Sequence, residues 1–306
     1  MQVSYHPDYY VPLPEGHPFP MGKFPALHHI LLAEGLIRSA DVVAPEEAAW
    51  QDLRLVHHEE YLSALATGLL DRAAERRLGV PWSPGLIRRA RLAVQGTITA
   101  AHMALQEGIA ANLAGGTHHA FPDHGEGFCA LNDVAIAIRA LLRDGAIWRA
   151  LVVDLDVHQG NGTAAIFAGD PRVFTFSMHG ERNYPWHKMT SSRDVGLPDR
   201  MEDDAYLAAL ETHLPDVIRA ARPDLAFYLA GVDLVAGDRF GRLSLTRDGV
   251  RRRDRAVLEA LRKAGIPVAL VMSGGYAKTP DLTADLHAIA HREAAAIYSH
   301  PYSPSA

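Results

Sequence analysis

Short polar clusters of histidine and aspartate are the part of this 306-residue sequence best suited to chemistry. Asp156 and His158 are separated by one residue in DLDVHQGNG, and Asp233 lies in AGVDLVAGD. If strand geometry continues through Asp156 and His158, their side chains lie on one face, which suits a mixed carboxylate–imidazole metal site. Two carboxylates and one histidine leave a position on Zn²⁺ or Fe²⁺ open for water or substrate, which is typical of catalytic sites. Taken singly, each aspartate is equally compatible with a helix cap.

Two adjacent histidines, His118 and His119, lie in the glycine-rich segment GGTHHA. A group that deprotonates a metal-bound water must lie within hydrogen-bond reach of it, and imidazole has a suitable pKa. The preceding Gly115 and Gly116 allow a close approach of the backbone. An isolated pair of histidines is more often a surface feature, so this assignment depends on the neighbouring clusters.

Aromatic residues near these clusters could complete a substrate pocket. Tyr276 follows two glycines in SGGY, and its hydroxyl could polarise a substrate carbonyl and stabilise the oxyanion opposite the metal. Residues 127–129 (GFC) and 184–186 (YPW) could supply apolar walls. Aromatic side chains in such positions are also common in protein cores, which is the alternative for each of them.

Apolar and amphipathic segments alternate after residue 82 and would position these side chains. The apolar segments are predicted strands, at residues 110–113, 150–154, 173–177, 225–229 and 268–272. The amphipathic segments are predicted helices, at residues 84–108, 132–143, 203–221, 247–264 and 283–299. Apolar strands joined by helices predict an α/β fold, a single-domain parallel sheet with helices on both faces. The proline-rich residues 1–82 are predicted to form loops with short helices at 26–35 and 59–66.

Four of the predicted strands end directly in a polar cluster. The clusters, in chain order, are GGTHHA, DLDVHQGNG, AGVDLVAGD and SGGY. In an open parallel α/β sheet, ligands bind in the crevice outside the carboxyl ends of the strands. The four clusters are therefore predicted to meet at one edge of the sheet, which strengthens each assignment made above. No internal repeat or linker interrupts the chain, which predicts one domain over residues 1–306.

The composition excludes several other classes of protein. Lys and Arg number 30 against 36 Asp and Glu, a net charge of −6, so no cationic surplus is present for nucleic-acid binding. The N-terminus has no signal-peptide pattern, and no apolar run reaches the roughly 20 residues that span a bilayer. The single cysteine, Cys129, cannot form an internal disulfide, which suits a reducing compartment. The sequence predicts a soluble cytoplasmic protein without a nucleic-acid or membrane partner.

The segments GGTHHAFPDHGEGFCALND, VVDLDVHQGNGT, LAGVDLVAGDRFGRLSLT and SGGY together resemble the metal-dependent histone deacetylase family, which has the arginase–deacetylase fold. The segments occur in the family's order with compatible spacing, over most of the chain. The forms HQGN and SGGY and the segment GHPFPMGKF are similar to the class IV branch and its bacterial relatives. The resemblance implies a hydrolase acting on linear amides, which removes acetyl or longer acyl groups from Nε-acyl-lysine or related acylated amines.

The resemblance also implies two metal sites. It implies Asp156, His158 and Asp233 as the ligands of Zn²⁺, although Fe²⁺ accepts the same ligands. It implies a structural monovalent cation, usually potassium, held by side-chain and backbone oxygens of Asp154, Asp156, His158, Ser177 and Met178.

The resemblance implies a catalytic role for five further residues. His119 would act as the general base and then as the acid, and His118 would help electrostatically. Asp154 would orient His118, and Asn161 would orient His119. Tyr276 would polarise the scissile amide carbonyl.

The resemblance implies a narrow channel for the acyl-lysine stem, lined by Phe128 and Tyr184 with Gly127 on its floor. Acyl-lysine, acetylated polyamines and other small amides all present the same amide to the metal, so the substrate stays open. The acidic net charge mildly favours a cationic substrate through electrostatic steering.

One residue departs from the pattern of many relatives, because Asn161 stands where they have aspartate. His119 then lacks one anionic partner, and an amide stabilises imidazolium less well than a carboxylate does. We therefore predict a less basic His119 and modest activity on simple acetyl-lysine. The likeness to class IV makes removal of long fatty acyl groups an alternative activity.

Two other functions fit parts of the pattern. An arginase-like ureohydrolase with two manganese ions needs further carboxylates, but Val235 stands two residues after Asp233 and Gly160 two after His158. The second ion is thus left without obvious ligands. The other alternative is a non-catalytic protein that binds an acylated ligand. This is disfavoured because every residue needed for catalysis is present, including Tyr276.

Overall fold

The computed structural model describes residues 1–299, whose strands form one eight-stranded sheet. The strands are β1 Gln2–Ser4, β2 Val42–Val43, β3 Ile109–Asn112, β4 Ala150–Asp154, β5 Val173–Gly180, β6 Arg193–Leu197, β7 Leu225–Leu229 and β8 Val268–Val271. Their order across the sheet is β2-β1-β3-β8-β7-β4-β5-β6, and every pairing is parallel. The predicted α/β fold with a parallel sheet is confirmed.

Ten α-helices of the described residues connect and cover the strands. They are α1 Lys23–Ala33, α2 Trp50–Leu53, α3 Glu59–Thr67, α4 Arg72–Leu78, α5 Pro84–Glu107, α6 Asp133–Arg143, α7 Asn161–Ile166, α8 Asp203–Ala221, α9 Arg247–Lys263 and α10 Pro280–Ile297. Helix α5 packs with α6 and against β1, β3 and β8, whereas α8, α9, α10 and α1 pack one against the next. The central strands, buried along their whole length, are covered by helices on both faces.

The four strands that lead into the polar clusters are neighbours at the centre of the sheet. They follow one another in the order β3, β8, β7 and β4, although β8 comes last in the chain. Parallel strands all end at the same edge, so the segments that follow them meet there. The predicted convergence of the clusters is confirmed by this strand order.

Local sequence signals explain where helices α5 and α10 begin and where α5 ends. Ser83 caps α5 by accepting a backbone N–H, Pro84 takes the first helical position, and Gly108 ends the helix at φ +84°. Helix α10 begins three residues earlier than predicted, because Thr279 caps it and Pro280 takes its first position. The Thr-Pro pair is the same start signal as the Ser-Pro pair of α5.

The prediction for residues 1–82 is wrong in part, because strands β1 and β2 lie in the region taken as loops with short helices, where α2 and α4 add to the two helices that were named. Edge strand β6 and the short helix α7 were also not predicted. These elements are only two to seven residues long, and β6 is mostly exposed. They are therefore too short or too polar to show a periodic pattern of apolar residues. Among residues 1–299, no helix combines the length and apolar character needed to cross a membrane.

Candidate active site

A cluster of three possible metal ligands lies after β4 and β7. His158 Nδ1 is 3.0 Å from Asp156 Oδ1 and 3.1 Å from Asp233 Oδ2. One ligand atom from each side chain lies within 4.8 Å of the other two, and all three residues are buried. Strand β4 ends at Asp154, so the expected strand geometry does not reach Asp156 and His158. The turn that follows the strand, rather than strand alternation, brings the side chains together.

Hydrogen bonds from the SGGY cluster and from the turn after β4 hold the two carboxylates in place. Asp156 Oδ2 accepts hydrogen bonds from the Gly274 N–H at 2.6 Å and from the Ser273 hydroxyl at 2.7 Å. Asp233 Oδ1 accepts one from the Val157 N–H at 2.9 Å. A Cβ atom at position 274 would lie 2.0 Å from Asp233 Oδ2, so glycine is needed for this close approach.

The electrostatics and chemistry of this cluster fit a bound divalent cation. Burial, together with repulsion from Asp156, raises the pKa of Asp233 to about 7. A cation between the carboxylates would offset both effects, because it stabilises their ionised forms. Two oxygen ligands and one imidazole nitrogen suit Zn²⁺ or Fe²⁺. Asp156, His158 and Asp233 could therefore hold such an ion.

His118 is paired with the last residue of β4, Asp154. His118 Nδ1 lies 2.7 Å from Asp154 Oδ2, and both residues are buried. Burial by itself would lower the pKa of His118, but the charges of Asp154 and Asp156 outweigh it and raise the pKa to about 9. The structure thus brings this predicted pair together and favours the charged form of His118.

His119 is held by an amide and not by a carboxylate. His119 Nδ1 lies 2.7 Å from Asn161 Oδ1, and Asn161 Nδ2 donates to Glu126 Oε1 at 2.6 Å. A carboxylate only accepts hydrogen bonds, so the contact with Glu126 fixes which end of the amide faces the histidine. Asn161 Oδ1 then accepts from Nδ1–H of His119, which leaves Nε2 as the unprotonated nitrogen.

The environment of His119 disfavours its charged form. Burial, followed by the charges on His118 and His158, holds the pKa of His119 well below its ordinary value. The sequence predicts a less basic His119 because of Asn161, yet burial is the larger cause of the lowered pKa, and the Asn161 hydrogen bond opposes it. Glu126 was not assigned from the sequence; it gives His119 an indirect anionic partner through the amide.

The turn that carries the two histidines is anchored by Asp133, the first residue of α6. Its carboxylate accepts the Gly116 N–H at 3.1 Å and the Thr117 N–H at 2.8 Å. Gly115 and Gly116 have φ values of +80° and +77°, a region that favours glycine. Asp133 was also not assigned from the sequence. Its carboxylate holds the turn at Gly116 and Thr117, which lies about 16 residues earlier in the chain, and no local pattern links the two.

Tyr276 lines the same pocket as the histidines. Its backbone N–H donates to Asp238 Oδ2 at 2.7 Å, which fixes the segment after SGGY. Burial, followed by the charges of Asp233 and Asp156, raises the pKa of Tyr276 well above its ordinary value. The hydroxyl therefore stays protonated and can donate a hydrogen bond to an oxygen that gains negative charge.

A pocket of about 380 Å³ opens onto the histidines. Its aromatic walls include the predicted Phe128 and Tyr184 and also Phe240, which the sequence argument did not assign. The ring centroids of Phe240 and Tyr276 are 4.9 Å apart, and those of His119 and Tyr184 are 5.0 Å apart. The pocket thus has aromatic walls, and its lining also includes the titratable His119 and His158.

The wall formed by residues 127 and 128 depends on helix α4. The N–H of Phe128 donates to the Leu78 carbonyl at 2.8 Å, and that of Gly127 donates to the Arg77 carbonyl at 3.2 Å. Phe128 has φ +69°, a costly conformation for a bulky residue and one that clusters at functional sites. A Cβ atom at position 127 would lie 2.6 Å from His119 Cδ2, so Gly127 packs against the candidate base.

Two buried cationic side chains lie next to the cluster and were not assigned from the sequence. Lys23 Nζ donates to the Ser273 carbonyl at 3.0 Å, and burial lowers the pKa of Lys23 to about 8. Arg89 donates to the Tyr9 carbonyl at 2.8 Å. Both residues line an inner cavity of about 40 Å³ that His118 also borders. Lys23 lies in GHPFPMGKF, so that segment was the signal available for it.

The predicted potassium ligands lie at the ends of β4 and β5. Asp154 and Ser177 are opposite each other in the parallel register, and Met178 follows within the buried part of β5. Asp154 Oδ1 accepts the Asp156 N–H at 3.2 Å, and Ser177 Oγ lies 2.9 Å from His179 Nδ1. The residues share one region, and their role as potassium ligands stays a prediction.

Comparison with known proteins gives consistent matches over nearly the whole chain. Residues 17–291 match the family model of the histone deacetylase domain. The chain is 51% identical over 298 residues to an uncharacterized protein of Picosynechococcus sp., covering 97% of this chain and 99% of that protein. It is 32% identical over 272 residues to histone deacetylase 2 of Arabidopsis thaliana, covering 86% and 70% of the two chains.

Two more distant relatives add to this comparison. Human histone deacetylase 1 is 28% identical over 285 residues, and the match covers 86% of this chain but 58% of the human protein. The solved structure of the HDA15 HD domain has a TM-score of 0.78 and 23% identity, covering 99% of this chain and 89% of that one. At this identity the structural match shows the fold alone.

The class of protein follows from the fold, which is the arginase–deacetylase α/β fold. The family model and the Arabidopsis relative then show that the chain belongs to the histone deacetylase family. It is accordingly a hydrolase acting on amides.

Proposed function

We propose that the chain is a zinc-dependent amidohydrolase that removes acetyl or longer acyl groups from Nε-acyl-lysine or related acylated amines. The observation that carries the proposal is the buried cluster of Asp156, His158 and Asp233 beside a histidine pair at the end of an aromatic pocket. We further propose that residues 1–306 form one catalytic domain that works in the cytoplasm.

Asp156, His158 and Asp233 would hold the Zn²⁺ ion, and Fe²⁺ would accept the same three ligands. When bound, the ion would supply Lewis acidity to the attacking water and to the amide carbonyl. We also propose a structural potassium ion whose ligands are drawn from Asp154, Asp156, His158, Ser177 and Met178.

The proton transfers would be carried out by the chain's own residues. His119 is neutral at neutral pH, with Nε2 free, so it would take a proton from the attacking water and then donate it to the leaving amine. His118, kept charged by Asp154, would add a fixed positive charge beside the reaction. Tyr276 would donate a hydrogen bond to the carbonyl oxygen as its negative charge grows.

The pocket walls would hold the apolar part of the substrate. The lysine stem would lie between Phe128 and Tyr184, with Gly127 deeper and in contact with His119. Hydrolysis breaks the C–N bond of the amide, and the products are a free amine and a carboxylate.

Other functions are less well supported. An acetylpolyamine or another small amide would present the same group to the site, and an acyl-ligand-binding protein would use the same pocket without turnover. A two-manganese ureohydrolase needs a second ligand cluster, and residues 1–299 contain one cluster of three or more metal-ligating side chains.

The test is hydrolysis of a matched panel by zinc-loaded protein: acetyl-, octanoyl- and myristoyl-lysine peptides and acetylated polyamines. We expect turnover on at least one member, lost on chelation, restored by metal, and reduced about 10²- to 10⁴-fold by His119→Ala. His102→Ala is the matched control, because His102 is exposed on α5. No turnover on any member at one zinc per chain would contradict the proposal and favour the binding protein.

A further inference from the structure

Arginines surround the mouth of the active-site pocket. Arg76, Arg77, Arg182 and Arg242 are exposed and belong to its lining, which contains no aspartate or glutamate within the described residues. They come from three separate parts of the chain: the end of α4, the segment between β5 and β6, and the segment between β7 and α9. The charge at the mouth is therefore positive, opposite in sign to the net charge of −6.

Hydrogen bonds to backbone groups hold the segments that carry these arginines. The end of α4 is joined to the channel wall, since the Arg77 carbonyl accepts the Gly127 N–H at 3.2 Å. Asn183 joins the other two segments: its Nδ2 donates to the Phe240 carbonyl at 2.7 Å, and its Oδ1 accepts the Arg242 N–H at 3.3 Å. The cationic mouth is thus a property of the fold and not of side-chain rotation alone.

Three of the four guanidinium groups have no anionic partner in residues 1–299. Arg242 is 3.0 Å from Asp199, whereas Arg76, Arg77 and Arg182 have no carboxylate oxygen within 4.0 Å. Several exposed arginines elsewhere in residues 1–299 do have such partners, as Arg143 does with Asp52 at 2.6 Å. An unpaired guanidinium at a pocket mouth is available for the bidentate hydrogen bonds that it forms with carboxylates.

An exposed aromatic side chain lies among these charges. Trp186 also lines the pocket, and 77% of its surface is exposed. A large exposed apolar side chain beside a pocket provides a surface for an extended ligand to pack on. Unpaired arginines and an exposed tryptophan in the lining of one pocket suit a peptide that crosses the mouth better than a small molecule that lies wholly inside the pocket.

Building on the proposed amide hydrolysis, we propose that the substrate is an acyl-lysine flanked by aspartate or glutamate residues in a peptide segment. The flanking residues would occupy the mouth because they belong to the amine side of the amide, whereas the acyl group would lie beyond the metal ligands. Basic histone-like tails and acetylated polyamines would bring like charge to the mouth, which opposes binding. The positive charge at the mouth thus favours an acidic peptide, whereas the negative net charge of the whole chain would weakly favour a cationic substrate.

The test uses three acyl-lysine peptides of equal length, with acidic, neutral or basic residues on both sides of the modified lysine. The acyl group is the one preferred in the panel described above, or acetyl if none is turned over. For each peptide, kcat/KM is measured by hydrolysis and Kd by fluorescence anisotropy on zinc-loaded protein at low salt. We expect the acidic peptide to exceed the basic one by at least about tenfold in both affinity and kcat/KM.

A double variant tests whether the mouth causes this preference. Arg76→Gln combined with Arg182→Gln is expected to reduce the advantage of the acidic over the basic peptide to about threefold or less. Arg219→Gln combined with Arg222→Gln is the matched control. Arg219 lies on the last turn of α8 and Arg222 directly follows the helix, and both are exposed and outside the pocket lining. The control should keep the full preference while losing the same formal charge.

The outcomes separate this inference from the proposed function. Equal values for the three peptides, or a preference for the basic one, would overturn the acidic-substrate inference even if all were hydrolysed. A preference that the control variant loses as fully as the mouth variant would also overturn it. If no peptide is hydrolysed, the acyl-lysine part of the proposed function fails, and the Kd series still decides whether the mouth selects acidic peptides.

Discussion

The floor and the mouth of the pocket are built in different ways. At the floor, Asp156, His158 and Asp233 are buried after central strands, and backbone N–H groups hold their carboxylates. At the mouth, arginines such as Arg76 and Arg182 extend into solvent from a short helix and a loop. Charges interact strongly in the water-excluded floor and weakly at the solvated mouth. The floor can therefore support chemistry, whereas the mouth can only bias which substrate arrives.

The largest effect should come from removing a candidate metal ligand at the floor. Asp233→Asn keeps the size of the side chain but removes the charge that a cation needs, so we expect bound metal and turnover to be lost together. Metal content per chain and hydrolysis of the preferred substrate check this. Asp216→Asn is the control, because Asp216 is exposed on α8. Full metal binding by the Asp233 variant would contradict the assigned ligand set.

A smaller loss should follow from removing the hydroxyl of Tyr276. Tyr276→Phe keeps the aromatic wall but removes the hydrogen-bond donor, and we expect kcat to fall about 10²-fold with KM changed far less. Steady-state kinetics on the preferred substrate check the split between kcat and KM. Tyr10→Phe serves as the control, because Tyr10 is about half exposed at 48%. A change confined to KM would show that Tyr276 only packs against the substrate.

Substitutions at Asn161 and Glu126, which are linked to His119 by hydrogen bonds, should shift the pH dependence of activity in opposite directions. Activity needs neutral His119, so it falls on the acidic side as His119 gains a proton. Asn161→Asp adds an anion that favours imidazolium and raises the pKa of His119, so the acidic limb should move up by about one pH unit. Glu126→Gln removes a more distant anion, so the limb should move down by less. An unchanged limb in the Asn161 variant would refute this account of His119.

The smallest effect should be the response of the mouth to salt. For the acidic peptide, kcat/KM should fall severalfold between about 20 mM and about 500 mM salt, because solvated charges are screened. The value of kcat should stay nearly constant, because the floor is buried and saturated with substrate. The neutral peptide is the control and should show little change in kcat/KM. Equal salt dependence for both peptides would remove the contrast between mouth and floor.

Sequence reasoning found the floor because its residues lie directly after strongly apolar strands. His118, His119 and Asp233 each follow a strand whose apolar residues predict its burial. Parallel strands all end at one edge of the sheet, so the residues that follow them lie together. It missed Glu126, because the hydrogen bond to Asn161 joins positions 35 residues apart in a turn without a periodic pattern. The condition under which it placed Asp156 and His158 on one face, strand geometry through both residues, is not met, since β4 ends at Asp154.

The fold class, the central strands and the types of residue that follow them can be predicted from the amino-acid sequence, because they depend on local hydrophobic patterns and on short motifs. The short strands β1, β2 and β6, at the two sides of the sheet, depend on tertiary structure, because their hydrogen bonds are supplied by neighbouring strands. Tertiary structure alone also brought the arginines of α4 and of two distant loops to one pocket mouth. Such convergence depends on contacts between residues far apart in the chain, and no local pattern encodes it.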